Sequence, residues 1–410
     1  MKLLHSLAFF SFLSLSWLHA APYDNDSDET RSLLKITVKG DVTAMEQMGD
    51  IYSEGRGVQV DKNEAMNWYG FAAKRGSKTA LKKLWKLETK SKKELKDMEY
   101  DEEATKQLCV YLYYAGGNSL MDEGALPKEL LGKNATPSKT TPGTIPSPPY
   151  NAAIVRKLIK KGADPNAYIP AEDLPIKRTG TKINPFRFLL LKNDTKTAEF
   201  FIAQGAVLHL GGNDLGTLAV NQMNNADEKK NQDKPMKFLL AHGYNLNAHS
   251  DWGSSLLMDC AIFGYTKGAK FLLERGVDVN EAITSRYTLT EKSARDCVGE
   301  TALSLAASNR QVDMVDLLLR HGADPNIIVR GQSLLDHIIS SQGEPSSSST
   351  TYEEELARLR RNSAKENPVI INKKKPDPMQ QPRGNVAHLL KLAGAKHTKE
   401  LQSAPAPAKD

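Results

Sequence analysis

The residues of this chain that could do covalent chemistry are few, and each lacks the company its chemistry needs. Ser32-Leu33-Leu34-Lys35 has the spacing of a serine nucleophile with a lysine base. Neither an S-D-N nor a K-T-G motif follows, so the match reads as coincidence and not as a cell-wall hydrolase. No H-E-x-x-H and no C-x-x-C pair occurs, so no metal site is expected. Gly211-Gly212 lacks the preceding strand and the lysine-serine sequel of a phosphate loop, and reads as a turn. His242 and His321 each precede a glycine at a helix end. There an imidazole interacts with unpaired carbonyls and the helix dipole. No basic-aromatic ribbon suggests nucleic acid, and a net charge of +6 over 410 residues is mild. The expectation is a chain without catalysis, cofactor or metal.

Three scattered cysteines, Cys109, Cys260 and Cys297, do not form a disulfide framework. Cys260 is expected to be a buried, free thiol and Cys297 to lie at a hairpin tip. Residues 1–20 read as a cleaved signal peptide: Lys2, an apolar run from Leu3 to Leu18, and a small residue at Ala20. The run is too short and too rich in serine for a comfortable membrane span. The mature chain is expected to begin near Ala21 and to be secreted or periplasmic, without stable membrane insertion.

Any function must then rest on surfaces, and repeated elements supply them. From Ala44 to Gly76, two helical patterns flank Gly55-Arg56-Gly57. Ala44, Met48 and Tyr52 recur every four residues in the first, and Ala65, Trp68, Tyr69, Ala72 and Ala73 form a stripe in the second. With Gly49, Val58, Asp61 and Gly76, these residues resemble a Sel1-like repeat, a relative of the tetratricopeptide hairpin. A lysine-dense helix follows over 82–96; Glu88, Glu94 and Asp97 dilute its charge, and it reads as a solvated face.

Another pattern takes over further on. Asp296 to Asn326 reads DCVGETALSLAASNRQVDMVDLLLRHGADPN. Gly299 makes a turn, Thr301 caps a first helix, Val312, Val315 and Leu317 to Leu319 face inward on a second, and Gly322 ends it. This resembles an ankyrin repeat almost residue for residue. Trp252 to Asn280 follows the same grammar, and weaker copies end at Gly162, Gly205, Gly243 and Gly394, giving about six units. The whole reads as an all-α helical-repeat solenoid, a Sel1-like hairpin followed by an ankyrin array with short β-hairpin fingers. The expected divisions are a signal peptide at 1–20, a Sel1-like region at 21–100, and a helix with a Pro/Ser/Thr-rich linker at 101–149. Ankyrin repeats follow at 150–341, a mobile insertion at 342–383, the end of the last repeat at 384–397 and a disordered tail at 398–410. Further insertions near Tyr168–Arg178, Ala226–Asn231 and Glu281–Arg295 should lengthen fingers or inter-helix loops.

The ankyrin resemblance implies a protein partner, bound through finger tips and the outer side of each first helix on a concave surface. Carried onto matched positions, that surface comprises Asp251, Trp252, Ser254, Ile262, Phe263, Val298, Glu300, Ser308 and Asn309. Trp252, Ile262 and Phe263 either anchor a partner or lie under the finger 281–295. A monomeric scaffold outside the cytoplasm is the leading expectation. A dedicated inhibitor, immunity factor or stabiliser of one periplasmic enzyme is the alternative.

Overall fold

The computed structural model describes residues 28–37, 39–89, 100–115, 120–122, 125–131, 144–170, 173–174, 182–224, 233–284, 297–342, 357 and 386–403. The expected signal peptide and most of the 342–383 insertion lie outside the described residues, as do Ala226–Asn231 and parts of the 137–149, 168–178 and 281–295 segments.

Two helical units follow one another. The first holds α1 (Asp28–Thr37), α2 (Val42–Glu54), α3 (Lys62–Lys74) and α4 (Lys78–Thr89). Asp41 caps α2 by accepting from the Ala44 N–H, and Asp61 caps α3 by accepting from Asn63 and Glu64, so each start has part of its free donors satisfied. Between them Gly55 takes φ 76°, the left-handed conformation that stops α2 and turns the chain. Met45, Met48, Ile51, Ala65, Trp68, Phe71 and Leu84 close a core that belongs to this unit.

The second unit is a mostly helical repeat stack. Its paired helices are α5 (Glu102–Tyr114) with α7 (Ala152–Lys160), α8 (Pro185–Leu191) with α9 (Thr195–Ala203), and α10 (Asp214–Asn224) with α11 (Lys234–Ala241). Then come α12 (Leu256–Phe263) with α13 (Thr266–Leu273), α14 (Ala302–Ser308) with α15 (Val312–Arg320), and α16 (Leu334–Gln342) with α17 (Ala387–Leu392). Successive first helices stack on one another, α5 on α8 and so on to α16, and one continuous apolar cluster runs from Ala104 to Leu390. The repeat stack therefore starts before residue 150. Helix α5, expected to precede a linker, is the first helix of unit 1, and residues 115–151 separate it from its partner. Those residues include the short α6 (Lys128–Leu131) and a two-stranded hairpin, β1 (Leu120–Asp122) antiparallel to β2 (Thr144–Pro146).

Short antiparallel fingers project between units. Strands β3 (Ile169–Pro170) and β4 (Lys182–Ile183) pair, as do β5 (Ile328–Val329) and β6 (Gln332–Ser333), with single bridges at His249–Ser255 and Ala282–Thr301. Among the described residues, three fingers are each tied to the next by an asparagine side chain. Asn166, Asn280 and Asn326 accept, through Oδ1, the backbone N–H of Val207, Asp324 and Lys396 at 2.8–2.9 Å. Those three donors all lie two residues beyond a helix-ending glycine, so the ties repeat in register along the stack.

The end of the chain corrects one expectation. Residues 398–403 are not a disordered tail but a helix, α18 (Thr398–Ser403), held by Asp336. The Asp336 carboxylate accepts from the Thr398 N–H at 2.7 Å and lies 2.6 Å from His397 Nδ1, and Ser333 Oγ donates to it at 3.1 Å. Partial burial raises its pKa, but the bonds from Thr398, His397 and Ser333 outweigh that and hold the carboxyl well below the usual range.

Candidate protein-binding surface

The nine residues expected on the concave surface divide three ways. Phe263 is 54 % exposed and Val298 40 %; Ser308 is exposed as well, and Ile262 and Asn309 are half-buried. Phe263 stacks on Tyr265 with ring centroids 5.4 Å apart. Trp252 is half-buried against the array core and not presented freely.

Ser254 and Glu300 are not on the surface at all. Ser254 Oγ donates to Asp259 Oδ1 at 2.6 Å, and Asn213 Nδ2 donates to Oδ2 of the same carboxylate at 2.9 Å. Burial pushes the Asp259 carboxyl up to about 6, against the pull of these donors, and the network draws Ser254 inward to satisfy it. Glu300 accepts from Ser304 Oγ at 2.6 Å and pairs with Arg330 Nη2 at 3.3 Å. Arg330 holds φ 51° at the tip of the β5–β6 hairpin, a backbone state that glycine accepts more readily. Both residues therefore shape fingers.

Asp251 leads to a feature that the sequence reading missed. Its carboxylate pairs with Lys74 Nζ at 3.2 Å and Arg75 Nη2 at 3.6 Å, residues of the N-terminal unit. Lys74 also reaches Asp214 at 3.8 Å and lies 5.0 Å above the Tyr168 ring. Burial opposes the charge on Lys74, but Asp214 and Asp251 outweigh it and the ammonium titrates above the ordinary lysine range. Helix α3 thus lies across the fingers of the first repeat units. A methyl group on Gly70 would overlap the His209 carbonyl, and one on Gly212 would overlap the carbonyl of His249. The backbones touch because these positions carry no side chain.

His209 is the centre of this contact. It stands where Asn166, Asn280 and Asn326 stand in other fingers, and its Nε2 accepts the Asn245 N–H at 2.9 Å, as an asparagine oxygen would. An amide N–H can only donate, so the ring proton sits on Nδ1, which donates to Glu88 Oε1 at 2.7 Å. Glu88 also accepts the backbone N–H groups of Leu208 and His209 at 2.8 and 2.9 Å. An asparagine could not bond in both directions at once across this distance; the imidazole does, and it stacks on Tyr244 at 4.8 Å. Further along α3, Asn67 Nδ2 lies 3.4 Å from His249 Nδ1, and His249 Nε2 lies 2.6 Å from Glu281. Val207 and Leu210 insert into the core of the N-terminal unit.

Glu88 had read as a charge on a solvated face, yet its side chain is 5 % exposed. Two signals in the sequence pointed here. One is Gly70, in mid-helix, where glycine costs about 1 kcal/mol against alanine. The other is the departure of Leu208-His209-Leu210 from the asparagine pattern. Elsewhere the expected details hold: Thr301 caps α14 by accepting from Ser304, Gly322 takes φ 89°, and His242 Nδ1 lies 2.9 Å from the Phe238 carbonyl oxygen. All three cysteines are free, and burial raises the Cys260 thiol well above its ordinary range. Among the described residues no cluster of three metal-ligating side chains occurs, and no helix is long and apolar enough to cross a membrane.

No curated protein matches the chain. Among solved structures it is similar to an ankyrin repeat domain from Acinetobacter baumannii AYE, with 19 % identity and a TM-score of 0.33. That match covers 60 % of this chain and 93 % of the other. The family model for ankyrin repeats matches residues 226–329 in three copies, so α11 to β5 are built of ankyrin repeats.

Proposed function

We propose that the chain is a non-catalytic, monomeric protein-binding scaffold outside the cytoplasm. Its N-terminal Sel1-like unit is seated on an ankyrin array that recognises a protein partner. One observation carries this reading: the ankyrin segment 226–329 also bears Phe263, Val298 and Ile328, which are 40–54 % exposed. Burying such side chains against a partner contributes roughly 1.5–3 kcal/mol each, and aromatic anchors are frequent hot spots of protein interfaces. The covered fingers near His209 and His249 leave the later units as the accessible part of the array. The Sel1-like assignment is supported by the matched residues, which supply the buried faces of α2 and α3.

The test is cross-linked capture from the native compartment with the natural chain and a Phe263→Asp variant side by side. The partner held by the natural chain should fall at least tenfold with the variant. Equal capture would remove Phe263 from the binding surface. Intact mass of the exported chain checks location: it should begin at Ala21, and retention of Met1 to Ala20 would overturn the signal-peptide reading.

A further inference from the structure

The contact between the two units is specific and yet built like one that opens. Its specificity lies in single-purpose residues on both sides: Gly70 against the His209 carbonyl, His209 in place of an asparagine, and Gly211 and Gly212, where an added carbon would press on Lys74 and Phe71. Its separability lies in the cores. Each unit closes its own apolar cluster, and among the described residues only Val207 and Leu210 of the array enter that of the N-terminal unit. Much of the rest of the contact is polar or charged: Lys74 and Arg75 with Asp251, Asn67 with His249, Glu88 with His209. Two buried polar atoms at the seam, Asn67 Oδ1 and Asn245 Nδ2, make no hydrogen bond. Polar interfaces between separately cored domains of one chain are the kind that permit relative motion.

We propose that this contact is autoinhibitory: α3 and α4 act as an intramolecular ligand that closes the fingers around His209 and His249 until a partner helix displaces them. The seat defines that helix. It carries an asparagine, a glycine three residues later, and two basic residues four and five beyond the glycine, as Asn67, Gly70, Lys74 and Arg75 do. Asparagine meets His249, the glycine allows backbone contact at His209, and the basic pair meets Asp251 and Asp214. A helix with a bulky residue at the glycine position is excluded by the finger backbone. The proposal rests on the array being a protein-binding surface, and it adds a second, closed site to the open one.

Amide hydrogen exchange on the full chain tests it. Leu208 and His209 donate their N–H groups to Glu88 across the seam, so their exchange reports on the contact directly. In the natural chain they should exchange through an opening that leaves α15 protected. Lys74→Glu with Arg75→Glu sets like charges against Asp251 and Asp214, and should speed exchange at Leu208 and His209 at least tenfold while α15 is unchanged. A synthetic peptide of residues 61–89, which carries Gly70 together with Glu88, should in excess slow it again; the same peptide with Gly70→Leu should not. Adding Asp251→Arg to the charge-reversed chain should restore protection without peptide, which distinguishes a closed seam from a damaged fold. The proposal is overturned if Leu208 and His209 exchange only together with α15, or if the natural peptide leaves the opened chain unprotected. Either result leaves capture through Phe263 standing, so the two readings fail separately.

Discussion

The array uses one repeat to two ends. In units 2 and 3 the finger residues hold α3 and α4: His209 stands in place of an asparagine, Gly211 and Gly212 leave room for Lys74 and Phe71, and Asp251 pairs with Lys74 and Arg75. In units 4 and 5 the asparagines remain, Asn280 and Asn326 tie only to the next finger, and Phe263 and Val298 face outward. The difference teaches that a departure from a repeat's pattern is informative in proportion to how many bonds the substitute makes. His209 makes the bond of the residue it replaces and one more in a second direction.

The contrast can be broken or sharpened by substitution. Leu318 is fully buried in α15, in the half that carries no N-terminal cover. Leu318→Ala should destabilise the array by about 2–5 kcal/mol through lost burial and a cavity. Thermal melts check this; a loss confined to the N-terminal unit would mean that the two units are one cooperative block.

Asp259 joins the two halves, accepting from Asn213 and Thr217 of unit 3, and makes the junction sensitive to pH. Its folded pKa of about 6 lies above the ordinary carboxylate value, so the folded state binds the proton more tightly than the unfolded one. Its contribution is present below about pH 4 and is lost as pH rises through 6, roughly 2–3 kcal/mol in all. Denaturant titrations between pH 4 and 6 should show this slope, and Asp259→Asn should flatten it. Asp336 acts with the opposite sign: its depressed pKa gives stability above the usual carboxylate range that fades as pH falls. A slope unchanged by Asp259→Asn would show that other carboxyls carry it.

His209→Asn tests the seam more gently. The asparagine still accepts the Asn245 N–H, so the fingers stay tied, but Glu88 loses its side-chain donor. A cost of about 1–3 kcal/mol is expected, the range for a buried charge deprived of one hydrogen bond. The change should appear in protection at Leu208 and not at Asp324. Equal loss at both would mean that His209 serves only the array.

Much of the array was legible because its signals are periodic. Thr301, Gly299 and Gly322 recur at fixed offsets from a buried helical stripe, and a local rule reads them. Helix α5 was not recognised as a repeat helix because residues 115–151 separate it from α7, and periodicity cannot bridge such an interval. Ser254 and Glu300 were placed on the surface by their position in the repeat, while their burial depends on Asp259, Ser304 and Arg330, which no repeat pattern includes. The seam with α3 depends on contacts between residues as far apart as Glu88 and His209, beyond the reach of any local pattern.

The smallest expected effect is a backbone one. Gly264, at the end of α12, takes φ 70°, and Arg310, two residues past the end of α14, takes φ 58°. Arg310→Gly should stabilise unit 5 by up to about 1 kcal/mol, since glycine removes the strain of that conformation. Gly264→Ala should cost a similar amount. Melting both variants checks the pair, and a destabilising Arg310→Gly would show that the arginine side chain outweighs its backbone strain.

The two ends of the array share one feature with a kinetic consequence. In units 2, 4 and 5 the paired helices are joined by two or three residues, whereas 115–151 separate α5 from α7 and 343–386 separate α16 from α17. Each doubling of a loop adds about 0.6 kcal/mol to the entropy of closing it, so pairing the helices of either end carries on the order of 2 kcal/mol more than pairing those of the middle. Nucleation therefore belongs to the interior, and the stack grows outward to ends that join last. The same ordering runs in reverse on unfolding. The first amides to be released should be those of α5 and α17, however well their side chains are packed.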